Sequence, residues 1–329
     1  MQRMIGRTLL TLSLLVGTTM SARAADIAGV LPNDSEFVMQ LNIKQLLGSK
    51  IVKTYASEMV DQFMENSPEA QQFTQLTGLD PRKDLSRIII AGSGSDPTSA
   101  TAVILLEGTY DVVKLNTVLA EVARAKSEMI SVVKDGNLTM YKIEGPDSPV
   151  AMYATVADKS LVVMATSKEL VKDTIAKKNG TKKGNVSKDL ATLLDRVKDE
   201  SSMYMVAVTK DKTKGLPIPQ PEVADIVEKI HGISMSLNVN ADIALDINVG
   251  VEDEDIAKEL GGKLAELIPQ AKLAIGFVTN SQPKLAKPLK DIVNTLKSGV
   301  SGKVITLKIS VPATAVDSLI KFAKERGMP

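Results

Sequence analysis

The sequence predicts an α+β protein: a duplicated unit of antiparallel sheet backed by helices, arranged about a pseudo-two-fold. Three observations predict it. First, Ile233, Met235, Leu237 and Val239 alternate with Ser234, Ser236 and Asn238. Ile243, Leu245, Ile247, Val249 and Val251 likewise alternate with Ala244, Asp246, Asn248 and Gly250. Period-two alternation sets one face of each strand on a core and the other in water. Asn240 and Asp242 in the gap suit a hairpin turn. Second, the period then changes, because Ile256, Leu260, Leu264, Leu267 and Ile268 fall on one face of an α-helix. Third, a similar strand, strand, helix pattern occupies residues 87–125.

Taken in order, the chain opens with an export signal over residues 1–24. Arg3 and Arg7 give a positive start, Leu9 to Val16 is a short apolar run, and Ala22-Arg23-Ala24 is the small-x-small pattern before a cleavage point. Ala25 is then the first residue of the mature chain. The apolar run is shorter than the roughly 20 residues a membrane span needs. Cleavage removes Arg3, Arg7 and Arg23 and no acid, taking the formal charge from +1 to −2. A near-neutral mature chain argues against nucleic acid as partner. The chain has no cysteine, so neither a disulfide nor a thiol nucleophile enters the account. With 44% apolar residues, burial alone can hold a chain of this length.

Leu31-Pro32-Asn33-Asp34 is a turn, and residues 35–43 are a strand with Phe37, Met39, Leu41 and Ile43 on one face. Ile51, Tyr55, Met59 and Phe63 recur at helical spacing over 50–65, and a second short helix runs over 68–76. Residues 87–91 and 100–106 are strands whose nearly continuous apolar runs imply cover on both faces. The linker over 92–99 is flexible by composition. Asp111 caps a helix that turns Val112, Leu115, Val118, Leu119 and Val122 inward. Residues 129–165 supply three or four strands, with Asp135-Gly136 as a hairpin turn. Thr166 and Glu169 have the spacing of a capping box for the next helix.

A basic connector covers 177–188, and Ser187 caps a helix with Leu190, Leu193, Leu194 and Val197 inward. A strand lies near 203–208, and the Pro-rich stretch 210–221 is a loop. Beyond the 233–268 stretch, helices are expected near 271–279 and 284–297, a strand over 304–311, and a final helix burying Val316, Leu319, Ile320 and Ala323. Residues 37–43 correspond to 203–208, 87–125 to 231–268, and 159–178 to 303–323. The expected lobes are 25–185 and 186–329.

No strong chemical motif appears. His231 is the only histidine and lies at a strand start, so it is read as structural. Glu252 to Asp255 is an acidic run at a helix start, where acids complement the helix dipole more readily than they cage calcium. Ser301-Gly302-Lys303 lacks the glycine and hydroxyl a phosphate loop requires, at Lys297 and Val304. Ser131–Lys134 and Ser318–Lys321 have the SxxK spacing without its supporting motifs. Lys177, Lys178, Lys182, Lys183 and Lys188 form a solvated basic connector with no aromatic for base stacking. Met39, Met140, Met152, Met164, Met203, Met205 and Met235 fall in strands. There they fill a core or line an apolar cavity between sheet and helices.

The layout resembles a loose group of uncharacterised exported bacterial proteins. The resemblance is carried by Leu31-Pro32-Asn33-Asp34, Gly78-Leu79-Asp80-Pro81-Arg82-Lys83-Asp84 and Gly108-Thr109-Tyr110-Asp111, within residues 30–180. It implies export and domain type and brings no activity with it. The expected function is that of an exported, non-enzymatic binding or interaction protein. The expected site is periplasmic or extracellular, with an unknown protein or an apolar ligand as partner, no nucleic acid and no cofactor. The alternatives are a carrier or sensor of an apolar ligand held between sheet and helices, and an enzyme using dispersed Asp, Glu, Ser or Lys.

Overall fold

The computed structural model describes residues 27–94, 100–145, 150–212 and 221–326. The signal segment, with Ala22, Ala24 and Ala25, lies outside the described residues. So do most of the 92–99 linker and most of the 210–221 loop.

In the first half of the chain, β1 (Phe37–Asn42) leads into α1 (Ile43–Gly48), a π-helical turn (Val52–Ala56), α2 (Ser57–Asn66), α3 (Pro68–Thr77) and α4 (Pro81–Asp84). Strands β2 (Leu85–Ser93) and β3 (Thr101–Gly108) follow, then α5 (Val112–Ala125). Four strands come next: β4 (Ile130–Asp135), β5 (Leu138–Ile143), β6 (Met152–Asp158) and β7 (Leu161–Ala165). Helices α6 (Lys168–Lys178) and α7 (Lys188–Leu194) then lead to β8 (Met203–Val208), α8 (Pro221–Glu228) and the hairpin β9 (Ile230–Val239) and β10 (Ile243–Val251). The chain ends with α9 (Glu254–Ser281), α10 (Pro283–Asn294), β11 (Lys297–Ser301), β12 (Val304–Val311) and α11 (Ala313–Glu325).

Among the described residues twelve strands join one antiparallel sheet in the order β11-β12-β10-β9-β8-β1-β2-β3-β7-β6-β5-β4. The fold is α+β. Outward from β1 the order is β2, β3, β7, β6, β5, β4; outward from β8 it is β9, β10, β12, β11. The two halves meet through the antiparallel pairing of β1 with β8, in which Met39 faces Met205 and Gln40 faces Tyr204.

The two faces are covered differently along the sheet. On the first face Val38, Ile89, Ala91, Val103, Leu105, Val163 and Val206 are buried under α6 and α7, whose Val171, Leu190, Leu193 and Leu194 complete the main core. On the second face α5 covers β4 and β6, while α9 and α10 cover β10, β11 and β12. Strands β2 and β3 carry apolar residues on both faces, as their continuous runs predict. Strands β9 and β10 alternate because their first face carries Ser234, Ser236, Asp246 and Asn248.

Several element ends differ from the sequence reading. The helix after β7 is capped by Ser167, whose hydroxyl accepts from the Leu170 amide. Thr166 accepts instead from the Ala102 amide on β3. The connector over 177–188 begins inside α6, and Lys177 is buried. The helix over 254–281 is continuous through Pro269, where two helices were expected. Residues 297–301 are a strand, because their amides and carbonyls pair with β12. No helix among the described residues is long and apolar enough to cross a membrane.

Candidate functional site

An apolar cavity of about 280 Å3 lies on the second face of the sheet, beneath α5. Asp111 starts α5 by accepting from the Lys114 amide, and this fixes which residues of the helix point down. Leu115 and Leu119, one turn apart, form the roof. Leu106 on β3, Val162 and Met164 on β7, Ala154 on β6 and Ile143 on β5 form the floor. Thr77, Leu79, Pro81, Asp84 and Leu85 close one side, and Tyr110 stands at the start of the helix.

The polar groups around the cavity are bonded to the protein itself. The Tyr110 hydroxyl donates to the Leu106 carbonyl over 3.1 Å. Thr155 donates to the Thr139 carbonyl at 2.8 Å. Asp84 accepts from the Asp80 amide at 2.7 Å, and Thr77 accepts from the Leu79 amide. Burial, with the charges of Glu107 and Asp84, pushes the Tyr110 hydroxyl up to about 12, so it stays protonated and donating. A ligand entering this space would find apolar walls and no polar group in need of a partner.

No protein-family model, curated protein or solved structure matches the chain. The site therefore has to be understood from its own residues.

The floor of the cavity continues across the sheet. Met164 pairs with Ile104, Ile104 with Ile90, Ile90 with Met39, Met39 with Met205, Met205 with Met235 and Met235 with Ile247. Side chains opposite one another in an antiparallel ladder lie side by side on one face. None of these residues is fully buried, and Met205 at the centre is 36% exposed. The strand methionines named from sequence thus divide. Met140 is in the main core, while Met39, Met164, Met205 and Met235 lie along this half-covered row.

The other candidate motifs go to structural places. Asp253 accepts from the Asp255 and Ile256 amides, so the acidic run caps α9. Among the described residues no group of three or more His, Asp or Glu is placed to hold a metal ion. Ser301-Gly302-Lys303 makes the β11–β12 turn, with Gly302 at positive φ. Ser131 and Lys134 are in β4, and Ser318 donates back to the Thr314 carbonyl within α11. The sequence reading placed Leu115 and Leu119 inward and offered an apolar cavity between sheet and helices lined by strand methionines, of which Met164 lines this one, but it did not place the cavity beneath this helix. Periodicity reports which way a side chain points, and it says nothing about whether the opposite wall meets it.

Proposed function

We propose that this is an exported, non-enzymatic binding protein whose ligand is an apolar chain or ring held between the sheet and α5. The observation that carries the reading is the cavity itself: an apolar space whose bordering polar groups are all satisfied within the chain. Such a space gains little from a polar ligand and gains burial energy from an apolar one, at about 25 cal/mol per Å2 removed from water. The half-covered row through Met39, Met205 and Met235 extends the same apolar face beyond the cavity. Methionine suits a surface that must fit more than one ligand shape. Export rests on the leader that ends at Ala24, and the mass of the protein secreted by a bacterial host tests it directly.

The binding test uses a polarity-sensitive naphthylamine dye, with a neutral alkane and a fatty acid as competitors. Ala154→Phe fills the cavity from its floor. Dye affinity is expected to fall about tenfold or more in this variant, with unchanged or raised thermal stability, because a filled void restores packing contacts. Equal dye affinity in Ala154→Phe and the native protein would end this reading.

A further inference from the structure

A second pocket, of about 180 Å3, opens on the other face of the sheet where α7 leans over the β9–β10 hairpin. Its floor is the backbone at Gly232 and Gly250. A side chain at Gly232 would collide with Leu193 at 2.8 Å, and one at Gly250 would meet the Arg196 guanidinium at 3.4 Å. The absent side chains are what leave the space. Among the described residues Arg196, Lys210, His231 and Lys303 line it, against a single acid, Asp189.

Arg196 is the telling residue. Its Nη1 is buried and has no hydrogen-bond partner. Among the described residues it also takes part in no ion pair. A buried guanidinium nitrogen without a partner is costly, because desolvation is not returned by any bond. Burial accordingly lowers its affinity for the proton. Lys210 is exposed at the rim, and among the described residues it likewise pairs with no acid. Lys303 spends its ammonium on the Glu252 carbonyl at 2.8 Å, which holds it beside the pocket.

We propose that this pocket binds an oxyanion of the phosphate class, gripped by Arg196 and Lys210 above the glycine floor. The planar fork of a guanidinium matches two oxygens of such an anion, and Arg196 is half-buried, so its charge is less screened than that of a fully solvated arginine. The space is several times the volume of a water molecule, about 30 Å3, so it accepts the anion with a small substituent. This site is independent of the apolar cavity, which lies on the opposite face.

The test is thermal unfolding of the mature protein in sodium phosphate against sodium chloride at matched ionic strength, repeated with glycerol phosphate and with acetate. Phosphate is expected to raise the melting temperature saturably, as a ligand specific to the folded state does. Glycerol phosphate acting at lower concentration than phosphate assigns the site to an ester, and the reverse order assigns it to the free ion. Arg196→Gln is expected to abolish the phosphate response and to melt higher than the native protein in chloride, since an unpaired buried charge has gone. Lys210→Gln, an exposed change that leaves the fold intact, is expected to weaken the response about tenfold. The proposal is overturned by an equal rise in chloride, by a stronger response to acetate, by no rise in phosphate, or by an undiminished response in both variants.

Discussion

Lys177 shows how one residue can change meaning between sequence and structure. In the chain it opens a run of basic residues. In the fold its side chain is fully buried, donating to the Leu31 carbonyl at 2.7 Å and pairing with Asp173 at 2.6 Å. It thereby ties the segment before β1 to α6. Removing one partner of a buried pair leaves the other uncompensated. Lys177→Ala is expected to cost about 3 kcal/mol in urea unfolding at neutral pH. Asp173 is mostly buried; burial raises its carboxyl, but the bonds from Lys177 and Lys182 outweigh this and hold it below the usual carboxylate range. A depressed carboxyl contributes stability that is present above its unfolded value, about 4, and is lost as pH falls through the folded value. The deficit of Asp173→Asn relative to the native protein is therefore expected to shrink between pH 5 and pH 3. A deficit that stays constant over that range would show that the charge on Asp173 does not contribute. Nothing in the sequence distinguished Lys177 from Lys178, because helical phase decides burial only once the packing partner is known.

At the level of elements, helix phases were legible and some helix ends were not. Thr166 and Glu169 have the spacing of a capping box, yet Ser167 makes the cap and Thr166 bonds across to β3. Both hydroxyls are suited to cap a helix, and the sheet claims one of them. Ser167→Ala is expected to cost about 1 kcal/mol, and Glu169→Ala, an exposed change, less than about 0.5 kcal/mol. The reverse order in chemical denaturation would restore the capping box. A similar limit applies to α9, where the sequence reading took the helical pattern through Ile268 and a helix near 271–279 as separate, with Pro269 between them. Proline removes the donor to the carbonyl four residues earlier, that of Ala265. Ala265 and Pro269 are both exposed, so water can satisfy that carbonyl and the helix continues. Sequence alone gives the proline but not the exposure that makes it tolerable.

For the whole molecule, the alternating and continuous apolar runs told which residues share a strand face but not how each face is covered: Ser234 and Ser236 on the polar face of β9 are buried while Met235 is half-buried, and Ile90 and Ile104 on the second face of β2 and β3 are half-covered. They did not tell that all the strands share one sheet, because the faces of a strand set its register while its edges name no partner. The joint between β1 and β8 is such an edge-to-edge pairing. Outward from it the strand orders of the two halves correspond over four strands, and β5 and β4 then extend the first half alone, but such correspondence does not imply that either half is self-sufficient. The main core crosses the 185/186 boundary: Leu190, Leu193, Leu194, Tyr204 and Val206 pack with Val38, Ile89, Val103 and Leu105. Gln40 on β1 donates to the Asp199 carbonyl at 3.0 Å, and the Asn42 amide to the Ser202 carbonyl. Separating the halves would expose two strand edges in the middle of an apolar sheet and open this core, with no disulfide to hold either piece. Residues 25–185 and 186–329 expressed apart are therefore expected to lack a cooperative thermal transition and to regain one on mixing. Independent, cooperative melting of 25–185 near the temperature of the full chain would show that the shared core is dispensable, and that each half carries its own stability.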